Sequence, residues 1–232
     1  MDILYEDNHL LVVNKPAGWV VQGATSGQKS LLDWGRNYIG EKYSKPGNVF
    51  LGVVSRIDAS VTGVVPFART SKAASRLSEQ FRSRSIVKKY WALVEGRVPE
   101  EASSLEHWLL RRESDLTTRV VSPNTSEAKK AILKYKRITS VDNSDLLEIE
   151  LVTGRKHQIR AQLQALGHPI LGDHLYGSTR RFADGIALHC RQLQFQHPTI
   201  DKTMVLTARL PDSWPKQLTK LTGLPGESSP SE

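Results

Sequence analysis

The segment GVVSRIDASVTGVVPFART, residues 52–70, sets two short β-branched runs, Val53-Val54 and Val61 to Val65, on either side of a polar loop that carries Arg56 and Asp58. A strand, loop and strand of this kind projects its polar side chains from a rigid support. Alternate residues of an extended chain face one side, so Arg56 and Asp58 share a face if the strand geometry persists through the loop. An acid would then stand beside a cation at the mouth of a site. A second reading makes Asp58 an Asx-turn residue ahead of Ala59-Ser60, with no chemistry attached. The rest of the chain has to separate the two.

At 232 residues the chain can bury a sizeable core without staples. Cys190 is the one cysteine, which excludes an intramolecular disulfide, and the His, Asp and Glu residues show no spacing suited to a zinc or di-metal site. No phosphate-cradling glycine loop is present, and neither a metal nor a cofactor is expected. The opening MDILYEDNHLLVV is acidic where a secretion signal is basic, and no apolar run nears the roughly 20 residues that span a bilayer. A soluble, cytoplasmic protein is expected. The 32 Lys and Arg against 24 Asp and Glu give a formal +8 and a pI near 9.6, which favours a polyanionic partner, nucleic acid before membrane.

Upstream of the opening segment, Ile3 to Tyr5 and Leu10 to Val13 flank a polar triplet and predict a hairpin closed by Pro16 and Gly18. Ser30 followed by Leu31, Trp34 and Tyr38 predicts a short amphipathic helix ending at Gly40. Downstream, Ser71 to Arg84 places Ala73, Leu77 and Phe81 on one helical stripe with a basic outer side. Ile86 to Val94 reads as a strand with Tyr90 and Trp91 on opposite faces, one of them in the core. Residues 97–130 are weakly patterned, with short strands at Leu105 to Leu110 and Thr117 to Val121 and no decision between insertion and main sheet. Ala131 to Ile138 and Leu146 to Val152 form an antiparallel pair around Asp142-Asn143-Ser144.

The next helix, Arg155 to Leu166 with Gly167 at its C-terminal turn, crowds Arg155, Lys156 and Arg160 where the helix dipole prefers anions. Such a conflict is expected where an external anion or a buried carboxylate compensates it. Solvent exposure of the cations is the other reading. Strands follow at Ile186 to Cys190, Leu193 to Phe195 and Met204 to Leu210, and Leu210-Pro211 ends the fold. From Gly223 the tail GLPGESSPSE lacks an apolar face and is expected to be disordered.

Four of these segments, in the same order, resemble the RNA pseudouridine synthases of the RluA class. LYEDNHLLVVNKPAGWVV (4–21) resembles that family's opening hairpin, and SRIDASVTGVV (55–65) its catalytic motif. VTGRKHQIRAQLQALGHPILGDHLYG (152–177) is the nearest match, and LHCRQLQFQHP (188–198) fits the penultimate strand and turn. The resemblance implies an α+β fold, a mostly antiparallel mixed sheet flanked by a few helices, in a stand-alone catalytic domain over 1–222 without the S4-like domain many members carry. It also implies that Asp58 is the catalytic aspartate, Tyr90 in KKYWALVEG the active-site tyrosine and Arg160 in HQIR the arginine that pairs with the aspartate. The sequence departs from the family pattern at Ser55, usually His, at Ile57 for Leu, and at Val61-Thr62 for Thr-Ser.

The implied reaction is isomerisation of uridine in ribosomal or transfer RNA: the glycosidic C–N bond breaks, the base turns, and the sugar rejoins at carbon 5. A stacked base has to be flipped out to react, and Tyr90 could stack on it. Arg56, Arg69, Lys72, Arg76, Arg82, Arg84, Lys88, Arg155, Lys156 and His157 lie nearest the motifs and are the expected RNA contacts. Two other classes stay open: a catalytically silent RNA-binding relative, and a carboxylate hydrolase pairing Asp58 with Glu6, Glu148 or Asp173.

Overall fold

The structure is a computed structural model describing residues 1–221, and the tail expected to be disordered lies outside those residues. The opening runs pair as an antiparallel hairpin of β1 (Asp2–Glu6) and β2 (Leu10–Lys15). Helix α1 (Leu31–Lys42) starts where expected, with the Ser30 hydroxyl accepting the Asp33 amide at 3.2 Å. It continues past Gly40 to Lys42, because its inward stripe is Leu31, Gly35 and Ile39 and no break falls at residue 40. Gly35 is there for contact: a Cβ would come within 2.7 Å of Leu51. The central segment yields β3 (Gly52–Val53) and β4 (Thr62–Ala68), with β4 wholly buried, paired with β2 along its length and with β3 at Phe67 and Ala68. Helix α2 (Ser71–Ser83) is capped by the Thr70 hydroxyl and ends at a left-handed Arg84.

From Val87 to His189 the chain forms a second compact unit; Met1–Ile86 and the described residues from Cys190 form the first. The second unit contains β5 (Val87–Glu95), β6 (Ala102–Leu110), β7 (Arg119–Val121), β8 (Lys129–Val141) and β9 (Ser144–Leu151), paired antiparallel in the order β5-β9-β8-β6-β7. The weakly patterned stretch 97–130 is therefore part of this sheet. Its alternation is faint because β6 is largely exposed on one face. Tyr90 and Trp91 are both buried.

Helix α3 (Gln158–Ala165) packs Ala161 against Leu109 and Ala131 of β6 and β8. A 3-10 turn, His174–Tyr176, follows it. The runs read as two strands at 186–190 and 193–195 are one strand, β10 (Leu188–Gln196), which pairs with β11 (Thr203–Thr207). The fold does not end at Pro211: Trp214 and Leu218 of the short α4 (Lys216–Thr219) are buried. Among the described residues no helix is long and apolar enough to cross a membrane.

The core of the first unit is Leu11 and Val13 of β2, Val65 and Phe67 of β4, and Leu31 and Ile39 of α1. Glu6 ties these elements together, accepting from Tyr38 and Lys42 of α1, from Tyr43 and from Arg69. Burial pushes its carboxyl up, but the donors of Lys42, Tyr43 and Tyr38 outweigh that and hold it below the ordinary 4.5 of glutamate. Asp7, with burial offset by the His9 and Leu10 amides, and Asp145, with burial offset by Ser140 and Arg97, are lowered in the same way. A carboxyl held low in the folded state stabilises it above the unfolded value, and that contribution is lost as pH falls through the lowered folded value. Urea unfolding is therefore expected to show a protein stable at neutral pH that weakens steeply below about pH 4. In Glu6→Gln the loss between neutral and acid pH is smaller, because one of the titrating groups is gone.

Candidate active site

Asp58 lies half-buried in the loop between β3 and β4, where its carbonyl accepts the Val61 amide at 3.0 Å and closes a tight turn. The extended geometry ends at Val53, so Arg56 and Asp58 do not share a strand face: Arg56 is exposed and Asp58 is not. Ile57, the family's usual Leu position, packs into the core of the first unit and fixes the loop from beneath. From the other side the loop is held by Lys15, a fully buried side chain whose ammonium donates to the carbonyls of Pro16, Trp19 and Ala59 at 2.8–3.0 Å. The Gly18 amide also donates to Ala59. Lys15 thus fastens the Pro16–Trp19 turn to the residue after Asp58. Sequence reasoning passed over Lys15, yet the signal is legible: with a period of two, Leu11, Val13 and Lys15 fall on the core face of β2.

Across from Lys15 in the ladder is Gly63, at φ +114°, where a Cβ would lie 2.3 Å from the Cys190 carbonyl oxygen. Only glycine permits this approach of β4 to β10. Gly63→Ala is expected to destabilise the protein by about 3 kcal/mol or more, lowering Tm by about 10 °C in a thermal melt.

In the second unit the motif-bearing residues around Arg160 are organised by α3. The helix begins at Gln158, three residues later than its apolar stripe suggests, because His157 takes a left-handed conformation (φ 53°). The buried Gln158 side chain also turns back to accept Thr153 Oγ1 and the Arg155 amide. Arg155 and Lys156 consequently precede the helix, and only Arg160 stands in its first turn. The charge conflict is met by a buried carboxylate. Arg160 Nε and Nη2 donate to the two Asp173 oxygens, each at 2.7 Å, with both side chains under a tenth exposed. The guanidinium lies 4.6 Å over the Tyr176 ring. Bidentate pairing and stacking fix its plane.

Tyr176 is itself fixed. Its hydroxyl accepts the Thr118 amide at 2.7 Å and lies 2.8 Å from His157 Nδ1. Burial pushes the phenol up, against opposing contributions from Thr118 and Arg160. The loop that carries Asp173 and Tyr176 is anchored by Glu95, which accepts from Ser178 Oγ and the amides of Thr179 and Arg180. Tyr90 is buried in β5 opposite Ile149. The charge conflict at the helix start left an external anion, a buried carboxylate or solvent exposure open, and Asp173 and Tyr176, in a turn-rich stretch with no period, were not recognisable as the partners.

The expected RNA contacts divide by environment. Arg56, Lys72, Arg76, Arg82, Arg84 and Lys156 are exposed, and Lys88, Arg155 and His157 are half-buried. Arg69 has a different part: its side chain is 5 % exposed, pairs with Glu6, donates to the Asp7 carbonyl and stacks on Tyr43. The acids that a hydrolase would set against Asp58 have structural partners: Glu6 in its cluster, Glu148 on Lys89 and Asp173 on Arg160.

The model of the RNA pseudouridylate synthase family matches residues 9–165, a stretch that includes Asp58, Tyr90 and Arg160, and the chain belongs to that family. It is an isomerase that acts on RNA uridine. It is 35% identical over 214 residues to an uncharacterized RNA pseudouridine synthase of Bacillus subtilis, covering 91% of this chain and 69% of that one. It is 34% identical over 225 residues to ribosomal large subunit pseudouridine synthase D of Zymomonas mobilis, with the same two coverages. Among solved structures, human RNA pseudouridylate synthase domain containing 4 superposes with a TM-score of 0.76 at 27% identity, over 91% of this chain and 89% of the human one.

Proposed function

We propose that this synthase modifies uridines of ribosomal RNA, with Asp58 as the catalytic carboxylate, Arg160 as the cation that pairs with and orients it, and Tyr90 as the face on which the flipped base stacks. Support for the chemistry comes from the family match, whose span of residues 9–165 includes all three. Support for ribosomal RNA comes from the relatives named as large-subunit synthases. The observation that carries the role of Arg160 is its setting: a guanidinium clamped by Asp173 and Tyr176 presents its charge in one orientation, as a partner of a reacting carboxylate must.

In this reading the target nucleotide leaves the stack and Asp58, oriented by its cation, drives breakage of the C–N bond. The base turns while held in place, carbon 5 bonds to the sugar, and the proton displaced from carbon 5 leaves to a base or to water. N1, released from the sugar, takes up a proton in its place, so the product is an isomer of the uridine and every other atom stays with the RNA. Pseudouridine mapping of ribosomal and transfer RNA from cells with and without the gene tests the substrate. Loss of one or more large-subunit ribosomal positions is expected. Loss confined to transfer RNA would refute the ribosomal assignment.

A further inference from the structure

We infer that the end of the second unit formed by the β6–β7 hairpin and the start of β8 is a docking surface for the RNA backbone, built from Arg111, Arg112, Arg119 and Lys129. Register puts these residues together. Arg119 lies opposite Leu110, the residue before Arg111 and Arg112, and Lys129 lies opposite Leu109. The surface continues into the start of α3, because Arg155 Nε donates to the Lys130 carbonyl and Thr118 Oγ1 to that of Lys156.

On the β5–β9–β8 part of this unit several cations face acids of neighbouring strands. Lys89 pairs with Glu148 at 3.1 Å, Lys134 and Lys136 lie opposite Glu150 and Glu148, and Arg97 and Arg137 both reach Asp145. At the hairpin end, Arg111, Arg112 and Lys129 have no carboxylate within 4.0 Å among the described residues. Arg111 Nη1 is shielded from solvent and meets no acceptor among the described residues. Asp115 accepts the Arg112 amide and lies 3.8 Å from Arg119, whose side chain is 70% exposed, a separation and exposure at which an ion pair contributes little. Leu116, at the loop tip, is 77% exposed and offers an apolar contact among the cations, which suits a nucleotide carrying both a phosphate and a base face.

The inference rests on RNA being the substrate but not on the roles of Asp58 and Arg160. It is tested by the salt dependence of binding to a long labelled oligouridylate, over about 50 to 200 mM salt. Two triple variants remove the same charge: Arg112→Ala/Arg119→Ala/Lys129→Ala at the hairpin, and Lys89→Ala/Lys134→Ala/Lys136→Ala on the compensated face. Each phosphate contact on a single strand contributes about −0.7 to the slope of log affinity against log salt, so the hairpin triple is expected to flatten the slope by about 2. The compensated triple is expected to leave it unchanged, and thermal melts confirm that both are folded. Equal flattening by the two triples, showing only the general field of the protein, would overturn the inference. So would an unchanged slope in the hairpin triple, or a wild type whose RNA binding ignores salt; the last would count against the RNA reading as well.

Discussion

Asp58→Asn is expected to remove turnover, lowering the single-turnover rate by on the order of 10³-fold or more, while the fold and RNA affinity are retained. Asn matches Asp in size but neither carries charge nor takes a proton, so it cannot attack or abstract. The loop itself has anchors apart from the carboxylate. The Asp58 carbonyl holds the Val61 amide, Lys15 and Gly18 hold Ala59, and Ile57 sits in the core. A loss of rate with an unchanged melting curve and an unchanged binding isotherm is therefore chemical rather than structural. An Asn variant with substantial isomerisation would remove Asp58 from the mechanism.

Arg160→Lys is the second large effect, on the order of 10²-fold in single-turnover rate, with a stability loss of about 1–3 kcal/mol. The substitution keeps the charge and removes geometry. An ammonium cannot give two parallel hydrogen bonds to Asp173, and it has no plane to lay on Tyr176. A lysine head group would hold Asp173 by one contact and lose the fixed orientation that a reacting carboxylate needs. Single-turnover kinetics beside a urea melt separate the two losses. A Lys variant that keeps most of its rate would show that orientation by Arg160 is unimportant.

Much of this was legible because local signals agreed with the tertiary outcome. Ser30 and Thr70 stand as helix caps in front of periodic stripes, and Asp142-Asn143 joins two alternating runs, with Asp142 in the left-handed region that such a turn requires. The misplaced boundaries share a cause, a side chain or contact that acts over distance. The helix at 158 is delayed by the backbone of His157 and the back-folded Gln158 side chain. The strand at 188–196 is continuous through Arg191-Gln192, where polar composition suggested a break, since ladder hydrogen bonds do not depend on side-chain polarity. Trp214 and Leu218 are buried beyond a proline that looked like a terminus.

The site was legible as residue types rather than as contacts. The cations before and within α3 suggested compensation by an external anion or a buried carboxylate, or else exposure to solvent. That the acid is Asp173, and that Tyr176 stacks on the same guanidinium, depends on how the 172–180 loop folds back on Glu95.

The most direct test uses ribosomal RNA carrying tritium at carbon 5 of uridine, incubated with purified protein under single-turnover conditions. Forming the carbon–carbon bond displaces that hydrogen, so wild-type protein is expected to release tritium to water while every base stays on the chain, and Asp58→Asn to release none. Free tritiated uracil would instead mean hydrolysis of the glycosidic bond, and release by Asp58→Asn at the wild-type rate would place the chemistry elsewhere; either result contradicts the account.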